Sequence, residues 1–143
     1  MADSFPIVIH HNPDCGTSRN VLAMIQAAGY EPIVIEYLKA GWTVAQLQGL
    51  MAAIPTTARE LLREKGTPAR ELGLLEADVG DEAILREMVA HPILVNRPIV
   101  VTPKGVKLCR PSEAVLPLLE RGPGAFTKEG GERVSPGTMG SAR

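Results

Sequence analysis

Two short apolar runs, Phe5–His11 (FPIVIHH) and Pro32–Tyr37 (PIVIEY), bracket a stretch with helical spacing at Val21, Leu22, Ile25 and Ala28. Both runs are rich in β-branched residues, and Asn12-Pro13-Asp14 closes the first as turn residues do, so each reads as a strand. Gly29 supplies a stop for the helix between them. Strand, helix and strand in so few residues make a βαβ unit, whose strands are expected to be parallel and joined right-handedly. This unit restricts the fold most, because it sets two strand directions and the hand of their connection at once.

The next segment changes character. Thr43 is placed to cap a helix bearing Val44, Leu47, Leu50 and Met51, and Thr56 or Thr57 a second bearing Leu61 and Leu62. Gly66-Thr67-Pro68 breaks the pattern, and Asp81 opens another helix with Ile84, Leu85, Met88 and Val89. The middle third therefore reads as wholly helical. After Pro92, Ile99–Thr102 (IVVT) and Val106–Cys109 (VKLC), joined by Pro103-Lys104-Gly105, read as an antiparallel hairpin. A last helix should begin near Ser112 and be kinked or shortened by Pro117.

Beyond Gly122 the chain is rich in Gly, Ser and Pro, and a flexible tail is expected over about 128–143. The order β-α-β, helical block, β-β, α predicts an α/β fold: a mixed four-stranded sheet flanked by helices, with an inserted all-helical lobe. The sheet core falls at about 5–42 and 91–120, and the insertion at about 43–90. A chain of 143 residues is most simply one domain.

The net charge of −1 gives no electrostatic reason to expect nucleic acid or an anionic membrane surface as partner. No apolar run reaches the length of a membrane span, and residues 1–9 lack the regions of a signal peptide, so a cytoplasmic location is expected. In that reducing compartment Cys15 and Cys109 read as thiols and not as a disulfide.

The stretch HHNPDCGTSRN puts Cys15 in the loop that leaves the first strand, just before a helix whose first turn is about Gly16–Arg19. Free amides and the positive end of a helix dipole favour an anion there, and such placement can bring a thiol pKa from ~8.5 to between ~3.5 and ~7.5. The same amides would bind an anionic substrate. His11 and Arg19 are close enough in sequence to add positive charge or hydrogen bonds. Asn12, Thr17 and Ser18 taken singly are ordinary turn and cap residues.

A dithiol redox motif would need Cys at position 18, which is Ser, and a tyrosine-phosphatase loop would need Arg at position 21, which is Val. The three histidines and two distant thiols have no metal-ligand spacing. Elsewhere, Arg97-Pro98 is an extended step, open to a cis bond, at the entrance to an apolar strand, Arg110 follows the last strand, and Arg63 closes ARELLR. Guanidinium groups suit tetrahedral oxyanions through forked, charge-assisted hydrogen bonds, although each arginine alone also reads as a surface charge. Cys109, on a strand end, reads as packed.

Five blocks, HNPDCGTSRN, EPIVIEYL, ARELLREKG, HPILVNRPIVVTPKGVKLCRPSE and GAFTKEGGE, closely resemble the glutaredoxin-coupled arsenate reductases, from about Val8 to Glu132. The resemblance implies a thioredoxin-like fold with a helical insertion, and reduction of arsenate to arsenite with glutathione as co-substrate and glutaredoxin as partner. It makes Cys15 the nucleophile and His11 the residue that supports its thiolate. It places the oxyanion-binding arginines at Arg63, Arg97 and Arg110 and a cis proline at Pro98, with Asn12, Gly16, Thr17, Ser18 and Arg19 in support. No metal, no bound organic cofactor and a monomer are expected. Pro117 and the tail after Arg133 depart from the family pattern.

Two other readings stand beside it. A transcriptional regulator of the same fold, binding RNA polymerase, would sense redox state through a CxxC switch that Ser18 removes. A related glutathione-dependent thiol reductase would act on another substrate.

Overall fold

Four strands form one mixed sheet: β1 (Val8–His11), β2 (Ile33–Glu36), β3 (Ile99–Thr102) and β4 (Gly105–Leu108), in the order β2-β1-β3-β4. The structure is a computed structural model that describes residues 5–134. β1 runs parallel to β2, with Val8 opposite Ile33 and His11 opposite Glu36. β3 lies antiparallel to β1, and β4 antiparallel to β3 with Thr102 opposite Gly105. The parallel pair, the hairpin and the mixed sheet are those expected. The strands are shorter than the apolar runs, although Phe5 and Ile7 are also buried and Ile7 O accepts the Ile33 N–H at 2.8 Å.

Helix α1 (Gly16–Ala27) crosses from β1 to β2 and buries Ser18, Val21, Met24 and Ile25. Gly29 ends it in the left-handed region at φ 95°, a conformation that glycine adopts without a Cβ clash. Arg121 finishes this end: Nε donates to Ala28 O at 2.7 Å and Nη2 to Gly29 O at 3.1 Å, with the guanidinium 4.1 Å above the Tyr30 ring. The Tyr30 hydroxyl in turn accepts from the backbone N–H groups of Glu120 and Arg121.

Phe5, Ile7 and Ile9 pack with α1, Val100, Cys109 and the segment Val115–Leu119 into one apolar core. The expected last helix is a 3-10 helix, Ser112–Leu118, that contains Pro117, which lacks the N–H that an α-helical ladder needs. The segment expected to begin a flexible tail instead forms a two-stranded ribbon, β5 (Phe126–Thr127) with β6 (Arg133–Val134). Ion pairs hold its turn, with Lys128 Nζ 2.7 Å from Glu113 and Arg19 Nε 2.7 Å from Glu129. Glycine content alone did not reveal these partners, which are distant in sequence. The rest of the expected tail, 135–143, lies outside the described residues.

Residues Tyr37–Asn96 form a second compact unit. It carries α2 (Tyr37–Ala40), α3 (Val44–Ala53), α4 (Ala58–Leu61), α5 (Asp81–Ala90) and a 3-10 turn at Pro92–Leu94. Thr43 and Thr57 each close a capping box, with Gln46 and Glu60 as reciprocal partners. The unit is not wholly helical: residues 63–80 are turns, and Leu62 bridges Val95 in an antiparallel contact. Gly66 and Gly73 take positive φ there, and Thr67 Oγ1 contacts the carbonyls of Arg63 and Glu64, which satisfies the backbone locally in place of a helix. Among the described residues no helix is long and apolar enough to cross a membrane.

Ile9 is fully buried at the centre of the sheet core. Ile9→Ala should therefore cost about 2–5 kcal/mol of stability in urea unfolding. A loss below about 1 kcal/mol would show that this core is not the cohesive element.

Candidate active site

The site is built where β1 hands over to α1. Cys15 is the N-cap residue of α1, in extended conformation, with its N–H bonded to Asn12 O at 3.1 Å. Its carbonyl accepts the Arg19 N–H, the first bond of the helix. An N-cap side chain normally accepts from the first-turn amides. The sulfur makes no cap bond of ordinary geometry, yet the Ser18 N–H still favours its thiolate.

Two of the expected arginines converge on this sulfur. Arg110 Nη1 lies 3.7 Å from Cys15 Sγ and also donates to Arg97 O at 3.0 Å. The Arg97 guanidinium also favours the Cys15 thiolate. The strand hairpin brings them together: Arg97 precedes β3, Arg110 follows β4, and Cys109 N–H bonds Pro98 O at 2.9 Å. Both arginines are followed by cis prolines, at Pro98 as expected and also at Pro111.

Burial pushes the Cys15 thiol up. The Ser18 amide and the two guanidinium groups outweigh that effect and bring it down to about 7. Cys109 shows burial almost alone: it is fully enclosed, and its thiol is pushed up to about 12. It is packed in the core, as read from its position.

His11 is tied to Ser18, with Nδ1 2.6 Å from Ser18 Oγ. That hydroxyl oxygen also accepts the Asn12 N–H at 3.0 Å, which leaves its proton free to donate to the imidazole. Burial lowers the His11 pKa, with Glu36 opposing and Arg19 adding to the shift, so the ring is neutral near pH 7 and can accept. His11 therefore meets Ser18, the residue whose backbone N–H favours the thiolate, and brings no positive charge. Asn12 Oδ1 accepts from Asp14 N–H and shapes the loop.

Arg19 is committed elsewhere. Its guanidinium grips the Glu129 carboxylate with two bonds, at 2.7 and 3.0 Å, and donates to Pro13 O at 2.8 Å. Gly16 and Thr17 form the first turn, with the Gly16 Cα facing the Arg19–Glu129 pair. Arg63 lies in the helical unit, where Nε donates to Lys65 O at 3.2 Å and Nη1 reaches Asn96 Oδ1 at 3.5 Å.

Ser18, expected in support of the thiol, meets His11 directly, whereas Glu129, the partner of Arg19, lies 110 positions away and carries no local signal. Among the described residues no cluster of His, Cys, Asp and Glu could hold a metal ion. The arrangement can do one kind of chemistry well: a thiolate at neutral pH beside donors that neutralise an oxyanion.

The model of the ArsC family matches residues 10–118. The chain is 64% identical over 129 residues to the arsenate reductase ArsI2 of Synechocystis sp., covering 90% of this chain and 92% of that one. It is 51% identical over 129 residues to an arsenate reductase of Escherichia coli K12, with the same coverage. A solved arsenate reductase from Vibrio cholerae superposes with a TM-score of 0.77 at 36% identity, covering 82% of this chain and all of that one.

Because the thiolate is the reactive form, alkylation of Cys15 by iodoacetamide should rise with pH, with a midpoint near pH 7, and then level off. Arg110→Ala should move that midpoint up toward the ordinary thiol value of ~8.5. A wild-type midpoint already at that value would remove the electrostatic role of the arginines.

Proposed function

This chain belongs to the ArsC family, and from that membership and the Cys15 site we propose that it is an arsenate reductase that draws its electrons from glutathione and glutaredoxin. One observation carries the reading: at the start of a helix the Cys15 sulfur lies 3.7 Å from the Arg110 guanidinium, an arrangement that favours its thiolate.

The Cys15 thiolate attacks arsenic while Arg97 and Arg110 neutralise the oxyanion, and one oxygen leaves as water. Preorganised donors favour the charge developing in that step. The thiol of glutathione then bonds to arsenic with loss of a second oxygen as water. The two sulfurs couple: both As–S bonds break, one electron pair forms the S–S bond, and the other stays on arsenic as As(III). Cys15 is left in a mixed disulfide with glutathione, which glutaredoxin resolves by thiol exchange. Ser18 in place of a second cysteine is the reason that an external thiol is needed. Arg63 joins the oxyanion set by resemblance. Phosphate shares the shape and charge of arsenate but accepts no electrons from thiols, so it should act as a weak competitor.

Cys15→Ser should reduce glutathione-dependent arsenite production to background, whereas Cys109→Ser keeps most of it. Substantial turnover by the Cys15 variant would sink the mechanism. Losing one charge-assisted bond costs about 1.5–3 kcal/mol, so Arg97→Ala and Arg110→Ala should each lower kcat/KM for arsenate about 10- to 150-fold. Arg63→Ala should act in the same direction, and wild-type kinetics in all three would overturn the oxyanion assignment. Arsenite production should require glutathione with glutaredoxin. Activity with thioredoxin alone would reverse the partner assignment.

A further inference from the structure

The turn that delivers Cys15 to α1 spans residues 12–15 and closes with Cys15 N–H on Asn12 O at 3.1 Å. Rotation of the central peptide, here Pro13–Asp14, is what interconverts the common turn types. That peptide is held from both sides. Asp14 N–H donates to Asn12 Oδ1 at 2.9 Å, and Pro13 O accepts from Arg19 Nη1 at 2.8 Å. The same guanidinium also lies by the residue that follows the thiol. Arg19 Nη2 and Glu129 Oε1 come within 3.7 and 4.0 Å of where a Cβ on Gly16 would stand. One cation thus flanks the chain just before Cys15 and just after it.

Glu129 decides where that cation points. Its carboxylate takes Arg19 Nε at 2.7 Å and Nη2 at 3.0 Å, which leaves Nη1 directed at Pro13 O. A forked pair of this kind fixes the plane of the guanidinium as well as its position. Glu129 is itself fastened, because its N–H donates to Asn20 Oδ1 at 2.9 Å and the neighbouring Lys128 Nζ lies 2.7 Å from Glu113. Arg19 and Glu129 are 43% and 51% exposed, and an ion pair this open adds little to global stability. Its effect is local orientation. The Glu129 carboxylate, and after it the Cys15 thiolate, raise the Arg19 pKa, so cation and sulfur act on each other across this turn.

We propose that Glu129 is a positioning residue for Cys15: through Arg19 it locks the Pro13–Asp14 peptide and so holds the sulfur in reach of the Ser18 N–H and Arg110. The inference rests on the reading of Cys15 as the nucleophile and adds a residue of the distant ribbon to the apparatus that aims it. Such aim matters, since a misplacement of about 1 Å can cost about 100-fold in rate.

The test measures the rate of Cys15 alkylation by iodoacetamide against pH, localised by peptide mass, and kcat/KM for arsenate. The variants are Glu129→Ala, Arg19→Ala and the two combined. Loosening the turn withdraws the sulfur from its donors. Glu129→Ala should therefore move the alkylation midpoint up by about half a pH unit, which slows the reaction about threefold on the acid side of the midpoint. Loss of a negative charge by itself would move the midpoint down, so the sign separates positioning from plain electrostatics. The same variant should lower kcat/KM about tenfold with its urea midpoint unchanged. Because Glu129 works through Arg19, the double variant should be no worse than Arg19→Ala alone. Three results overturn the assignment: a midpoint that falls or stays in place in Glu129→Ala, losses that multiply in the double variant, or a loss of activity that tracks a fall in the urea midpoint. Absence of arsenite production by wild-type protein overturns the reductase reading instead, and the alkylation profile still decides on Glu129.

Discussion

The hydroxyl of Ser18 is the joint on which the site depends. It is fully buried, accepts the Asn12 N–H and meets His11 Nδ1 at 2.6 Å, so it fastens the end of β1 to the first turn of α1. Its own backbone N–H favours the thiolate of Cys15. A buried hydroxyl must be satisfied, and here both of its partners belong to the strand end. If that joint loosened, Cys15 would lose its place on the helix axis and the arginines their target. Burial favours the neutral His11 ring, which can accept from this hydroxyl.

Cys15 and Cys109 give an internal comparison of what controls a thiol. Both are buried and both sit next to a basic residue in sequence or in space. With burial dominant the Cys109 thiol rises to about 12, and with the Ser18 N–H, Arg97 and Arg110 favouring its thiolate the Cys15 thiol falls to about 7. The difference is one of direction and geometry: Lys107 acts on Cys109 only at a distance, whereas Arg110 brings an N–H to 3.7 Å from Cys15. Burial thus raises one thiol while nearby donors lower the other.

Much of the frame was legible from local pattern. The β-branched runs, Gly29, Thr43 and Thr57 act through neighbours a few residues away, and the parallel pair, the capped helices and the hairpin all appear where those signals stand. Three features were not legible in this way. The break read at Gly66-Thr67-Pro68 widens to turns over 63–80, so the middle third is not wholly helical, because glycine conformations and Thr67 satisfy the backbone locally. The ribbon at 126–134 reads as loose because its composition is polar and glycine-rich, and its order comes from Arg19, Asn20 and Glu113, up to 110 positions distant. Arg19 in turn reads as a charge near the thiol and is held by Glu129.

By itself the sequence determined that Cys15 would sit at the mouth of a helix, that no second thiol stands at position 18, and that Arg97 and Arg110 bracket a hairpin. These follow from turn residues, apolar periodicity and residue identity, all of which act over short separations. Only the tertiary structure decided that Arg110 reaches the sulfur, that His11 meets the Ser18 hydroxyl, and that the ribbon is held by Arg19 and Glu113. Those outcomes depend on the register of β1 against β3 and on long-range ion pairs. A shift of one residue in that pairing would send the strand-borne groups to the opposite face of the sheet.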